Sequence, residues 1–585
     1  MKNLYLLLLI FSSLAVNSKT ITGTVTDEES YPLPGVNIII KGSPKGTQTD
    51  FDGKYSLEAK EGDILVFSYL GFKTQEKKVK KGTVLNVLLK ADNVSLEEVV
   101  MVRDVELRSQ AMMMMAPPPP ESESYKDINE NIFRSVGTSP LSTFSIDVDR
   151  AAYSNIRRMI NNGQEIPKDA VKIEEMINYF NYEYPQPAKG QPFAIHTEVA
   201  QTPWNSDSKL VKIALQGKTV PLDNIPASNL VFLLDVSGSM NSPNKLPLLK
   251  SAFKLLTGQL REQDKVAIVV YAGAAGVVLP STSGSDKTAV LAALDNLSAG
   301  GSTAGGAGIE LAYQIAQENF IKGGNNRVIL ATDGDFNVGA SSDSAMEDLI
   351  EEKRNSGVFL TALGFGMGNY QDSKLETLAG KGNGNHAYID TMQEARRVLG
   401  TEFGGTLYTI AKDVKIQVEF NPAQVQAYRL IGYENRLLND EDFKDDKKDA
   451  GELGSGHTVT ALYEIIPTGV KSKFLKDIDP LKYTNTSSSG NKDELLTVRF
   501  RYKEPEGSKS KELVQVVRSD EVALSPDFKF ASAVALYGML LRDSEFANDA
   551  PLQLVVSLAK EGRGKDENGY RTEFVRLVES HDLTK

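Results

Sequence analysis

The stretch LVFLLDVSGSM ends a continuous apolar run in Asp235, then sets hydroxyls at Ser237 and Ser239. A strand that only stops at a surface needs a turn, not three oxygen donors at alternate positions. Two other stretches carry matching chemistry. GGSTAGG (300–306) sets Thr303 ahead of a helical pattern, and ATDGD (331–335) sets Asp333 at the end of an apolar strand. Together they offer two carboxylates and three hydroxyls from separate loops. Hard oxygen donors suit Mg²⁺, which takes octahedral geometry at about 2.0–2.1 Å and retains waters. Mn²⁺ and Ca²⁺ are alternative ions. Hydroxyls are neutral, so an ion held partly by them stays electrophilic towards an external carboxylate. A DxSxS stretch by itself is equally a capped turn, because Asp and Ser favour turns and helix starts. A Gly-rich loop can also cradle phosphate at a helix start, but GGSTAGGAG lacks the GxxxxGK[ST] arrangement.

These residues act together only if one scaffold positions them. Across 226–405, apolar strands (NLVFLLD, KVAIVVYA, RVILATD, VFLTALGF) alternate with helical patterns such as LPLLKSAFKLLTGQL and AGIELAYQIAQENF. That alternation predicts an α/β doubly wound, Rossmann-like domain with a parallel sheet covered on both faces. Ligands in such sheets bind beyond the C-terminal strand ends, where all three loops fall.

On these motifs the segment resembles the von Willebrand factor type A family and its metal-ion-dependent adhesion site. The resemblance implies that Ser237, Ser239 and Thr303 coordinate the ion directly and that Asp235 and Asp333 act mostly through water. Segments on either side, including FSIDVDRAAYSNIRRMI, IEEMINYFNYEYP and AYRLIGYENRLL, are similar to bacterial YfbK-type von Willebrand proteins over roughly residues 126–583. Residues 126–225 form a mixed flanking region. Residues 406–585 return to strands (VKIQVEF, AYRLIGYE, HTVTALYEII, ELLTVRFRYK, ELVQVVRS) and end in helices.

The chain starts with a Lys, an apolar run and small residues, so residues 1–18 are expected to be a cleaved signal peptide. Residues 19–102 alternate in the β manner with turn signals between short runs, which predicts a small β-sandwich and a hairpin at Asp52-Gly53. Gly23-Thr24-Val25, Pro34-Gly35-Val36, Thr49-Asp50, Tyr55 and Tyr69-Leu70-Gly71-Phe72 resemble the carboxypeptidase regulatory-like domain. The same module precedes the plug of many TonB-dependent receptors, and Leu96-Glu97-Glu98-Val99-Val100 fits its usual ending there. Residues 103–125, rich in Met and Pro, read as a disordered linker.

The net charge of −12 argues against nucleic acid as a partner, and the absence of cysteine excludes disulfides, thiolate metal sites and lipoprotein acylation. No HExxH pair or GxSxG elbow occurs. Asp147 and Asp149 form a DxD read as a solvated strand end rather than a Ca²⁺ site, and His457 is read as structural. The expectation is a non-enzymatic, exported interaction protein of the periplasm or outer surface, with no membrane span after signal cleavage and a place in an envelope complex. It would bind a partner's Asp or Glu carboxylate through Mg²⁺. The alternative is an envelope scaffold in which the metal is only structural.

Overall fold

Period-two alternation in the first hundred residues buries every second side chain, and Lys54–Ala59 shows it directly, with Tyr55, Leu57 and Ala59 inward. In the computed structural model the described residues are 19–90 and 123–582. The exceptions are 28–31, 34–35, 42, 44, 51, 69–71, 222–223, 273, 301–304, 335–342, 402–407, 449, 476–492, 506 and 521–523. The expected signal peptide and residues 103–122 of the expected linker lie outside them. The chain divides into two compact units, one within residues 1–114 and one within 115–585.

The first unit is a two-sheet sandwich. Lys19–Thr26 lies between Lys54–Ala59 and Val87–Leu88 in one sheet. The other runs Gly46–Gln48, Asn37–Ile40, Ile64–Ser68, Gln75–Lys78. Ile21, Val25, Ile38, Leu65 and Phe67 fill the space between them. The Asp52-Gly53 turn is present, with Gly53 at φ +67, but it does not close the expected hairpin. Gly46–Gln48 and Lys54–Ala59 belong to different sheets, so the turn carries the chain across the sandwich. Gly53 packs so closely on the first strand that a Cβ would sit 2.5 Å from the Val25 carbonyl.

In the second unit the central sheet runs, edge to edge, Ala275–Ser283, Lys265–Tyr271, Ser228–Asp235, Asn325–Thr332, Val358–Phe365, His386–Ile389. All neighbours are parallel except the first pair, so the sheet is mixed rather than wholly parallel. Leu230, Phe232 and Leu234 face one helical layer with Leu249, Phe253 and Leu294. Val231 and Leu233 face the other, with Ile309, Tyr313, Ile350 and Leu375. Both faces are covered, which explains why Ser228–Asp235 is buried throughout.

The regions before and after this domain form one interleaved body. Phe193–Gln201 and Lys209–Gly217 join Thr458–Pro467, Val425–Ile431 and Arg134–Ser135 in one antiparallel sheet. Leu141–Ser145 joins Thr409–Phe420, Glu494–Lys503 and Ser510–Arg518 in another. A helical layer of Ala151–Asn161, Ile173–Tyr179, Pro526–Leu541, Leu552–Glu561 and Tyr570–Asp582 shares one core. Pro526–Leu541 is apolar nearly all round and correspondingly buried; the Ser525 hydroxyl caps it by accepting from the Phe528 amide at 3.2 Å. Glu123, Ser124 and Tyr125, read from sequence as linker, are tied down. Glu123 pairs with Arg158 at 2.8 Å, and the Ser124 hydroxyl meets Gln371 at 2.6 Å.

Candidate metal centre

Asp235 closes the central strand, with both carboxylate oxygens engaged. Oδ1 accepts from the Ser237 amide at 2.9 Å, the Asx turn that starts the loop. Oδ2 accepts from the Thr332 hydroxyl at 2.9 Å and the Tyr271 hydroxyl at 3.2 Å. Those two residues end the strands on either side, so three strand ends converge on one carboxylate. Ser237 Oγ and Ser239 Oγ lie 3.1 Å apart, Ser237 buried and Ser239 exposed. The site therefore opens to solvent at Ser239.

Asp333 follows the neighbouring strand and is fully buried, as is Asp235. Its Oδ2 accepts from Lys245 Nζ at 2.9 Å and Asn369 Nδ2 at 3.1 Å, and Lys245 also donates to Asn369 Oδ1 at 2.9 Å. Gly334 makes the exit possible. It sits at φ +95, and a Cβ there would lie 2.4 Å from the Gln371 amide nitrogen. Burial pushes the Asp235 carboxyl pKa up, and the charge on Asp333 adds to this against hydrogen bonds from Ser237 and Thr332. At Asp333 burial acts in the same direction, but the Lys245 ammonium and hydrogen bonds from Ser239, Lys245 and Asn369 outweigh it and hold the carboxyl below the usual range.

Four of the five residues singled out in the sequence thus lie around one strand edge. Thr303 lies outside the described residues. Gly300, which is described, donates its amide to the Val236 carbonyl at 2.8 Å. Lys245, Asn369, Tyr271 and Thr332 were not picked out. Thr332 stood in the ATDGD stretch and Lys245 six residues beyond Ser239, but nothing in their spacing assigns a partner.

The donor set fits a divalent cation. Among the described residues the two buried carboxylates have one ammonium, on Asp333, which leaves a net negative charge, and two hydroxyls lie alongside. A second acidic group, Asp149, Glu175 and Glu376, offers oxygens within 4.8 Å of one another. It is already supplied with cations. Lys172 reaches Glu376 at 2.9 Å and Asp372 at 2.6 Å, and Arg436 reaches Asp149 at 2.9 Å. Asp149 is therefore a buried, ion-paired acid and not a solvated strand end.

A doubly wound sheet with this loop set defines a von Willebrand factor type A domain protein, and the von Willebrand factor type A domain profile matches residues 229–399. Further profiles match on both sides: CarboxypepD_reg-like domain at 21–101, von Willebrand factor at 119–212, and Uncharacterized protein YfbK, C-terminal, at 405–583. The chain is 45% identical over 469 residues to Uncharacterized protein YfbK of Escherichia coli K12, covering 78% of this chain and 81% of that one. It belongs to the YfbK family. Its N-terminal part is 46% identical over 103 residues to a TonB-dependent receptor of Formosa agariphila, 17% of this chain and 10% of the receptor. A solved von Willebrand factor type A structure from Catenulispora acidiphila is similar at 16% identity and a TM-score of 0.38, covering 68% of this chain and 91% of that one. Among the described residues no helix is long and apolar enough to cross a membrane.

Proposed function

We propose that this protein is an exported, non-enzymatic binding protein. Its central domain holds Mg²⁺ with Asp235, Ser237, Ser239, Thr303 and Asp333 and captures an Asp or Glu carboxylate of a partner protein. The observation that carries this reading is the pair of fully buried carboxylates, Asp235 and Asp333, with one ammonium on Asp333 among the described residues, set beside the buried Ser237 and exposed Ser239 hydroxyls. The hydroxyl oxygens are 3.1 Å apart, close to the roughly 2.9 Å between neighbouring oxygens of an octahedral Mg²⁺ site. Mg²⁺ there would supply an electrophile towards carboxylate; Mn²⁺ would serve in the same donor set. The N-terminal similarity to TonB-dependent receptors supports a place in the cell envelope.

The test pairs calorimetric Mg²⁺ titration with affinity capture from an envelope fraction. Wild type is expected to bind Mg²⁺ and retain a partner that chelator releases, whereas Asp235→Ala loses both. Unchanged Mg²⁺ affinity and capture in Asp235→Ala would defeat the reading. A scaffold with a structural metal is the second reading, favoured by the interleaved flanking body. In that case chelator lowers the melting temperature and releases nothing.

A further inference from the structure

Asn325–Thr332 leads to Asp333 at one end and carries Arg327 near its start, about 20 Å away at strand spacing. Arg327 is 2% exposed. Its Nη1 donates to Thr361 Oγ1 at 2.7 Å, its guanidinium lies over the Phe359 ring at 5.5 Å, and its Nε has no partner. No carboxylate forms an ion pair with it among the described residues. Every other fully buried arginine has one: Arg397 pairs with Glu394, and Arg429 with Glu464. Burial without a counter-ion pushes the Arg327 pKa down to about 10. A desolvated charge left unpaired is costly.

Arg327 lines a cavity of about 380 Å³ between the lower edge of the central sheet and the flanking strand Gly451–Gly454. This is within the size range of small-molecule sites. Arg354, Lys381, Asn383 and Asn385 line it as well. Asp147, Glu351, Glu376 and Glu452 line it too. Lys381 and Arg354 share Glu351, at 2.8 and 3.5 Å, and Arg436 meets Asp147 and Glu376, each at 3.1 Å, so these three acids already have cations. Glu452, the carboxylate whose charge reaches Arg327, is hydrogen-bonded to Thr409 Oγ1 at 2.7 Å.

We propose that this cavity binds a small oxyanion, a phosphate- or carboxylate-bearing molecule, with the Arg327 guanidinium as its principal partner and Lys381 assisting. A planar guanidinium suits both groups, since its fork matches two oxygens at once. The ligand site is separate from the metal centre and does not depend on it.

The experiment is thermal melting of the full chain in Mg²⁺-free chloride buffer, titrated separately with inorganic phosphate and with citrate. A saturable rise in melting temperature with either anion is expected. Phosphate alone identifies a phosphoryl ligand; citrate alone identifies a carboxylate. Arg327→Met should weaken the apparent affinity at least tenfold while leaving the anion-free melting temperature unchanged or higher. Lys381→Met, at a half-exposed position, should weaken it several-fold. Both anions also stabilise proteins by exclusion from the surface. A non-saturating rise of equal size in wild type and both variants would therefore overturn the proposal, as would no rise at all.

Discussion

Lys245 brings an ammonium to Asp333, a carboxylate wholly inside the protein. Gly366 lets it do so. At φ +79 this residue leaves its Cβ position to the lysine stem, which passes 2.3 Å from it. Removing the ammonium strands a carboxylate in the interior, which costs about 3–5 kcal/mol when a buried pair is broken. Lys245→Met keeps the stem and removes the charge. Its unfolding free energy should fall by about 3 kcal/mol in metal-free urea titrations, and Mg²⁺ should bind it more tightly than wild type and recover part of the loss. Equal metal-free stability would show that Asp333 is not charged there. At this scale the cluster of Asp235, Ser237, Ser239 and Asp333 was legible because two separate stretches end at one sheet edge, whereas DxSxS alone is equally a capped turn. The lysine was not, since a lysine before a helix is ordinarily solvated. Asp149 misled for the same reason: a DxD says nothing of the arginine that meets it from residue 436.

Strands and helices of the central sheet follow from apolar runs, and the expected elements at Ser228–Asp235, Lys265–Tyr271, Asn325–Thr332 and Val358–Phe365 are all present. The antiparallel edge Ala275–Ser283 escaped notice because it reads AGVVLPSTS. Only Leu279 is buried in it, and Pro280 interrupts its pattern. Such a sequence is what an edge strand carries. The opposite edge, His386–Ile389, is set by the tight approach of Gly384, where a Cβ would fall 1.7 Å from the Leu360 carbonyl oxygen. Gly384→Ala should therefore push that strand off Val358–Phe365 and lower stability by about 2 kcal/mol. Thermal melts would register the loss, and hydrogen exchange should quicken first at residues 386–389.

At the scale of the whole molecule, buried charges bind the central domain to its flanks. Arg157 of the flanking helix meets Asp390 at 2.5 Å, Glu394 at 3.1 Å and Glu573 at 3.1 Å. Lys172 and Arg436 reach Glu376 at 2.9 and 3.1 Å. His386 sits in this joint, its Nε2 2.9 Å from the Tyr370 hydroxyl, with Asp372, Lys172, Glu376 and Arg436 around it. Burial, helped by Lys172 and Arg436, pushes its pKa from 6.5 down to about 4. The unfolded chain then takes up the proton first, so stability is lost as pH falls from 6.5 towards 4. By pH 5 the loss from this group is about 2 kcal/mol. His386→Gln should remove that component, and wild type should lose more stability than the variant between pH 7 and pH 5 in denaturant titrations. Parallel losses would remove His386 from the account.

Sequence patterns are local, so they exposed the longer flanking strands, not short ones such as Arg134–Ser135 and Gly451–Gly454, and not which strands pair. Gln417 hydrogen-bonds Thr143 across 274 residues and Tyr463 meets Ser142 across 321, whereas bonds at the metal centre span 2 to 124. This disparity imposes an order of assembly on a chain emerging from its N-terminus. The central domain has all its strands early and closes on itself. The frame around it must wait, with Phe193–Gln201 and Lys209–Gly217 holding an unpaired β edge until Thr458–Pro467 is made. Slow, long-range closure of this kind leaves apolar edges open to other chains.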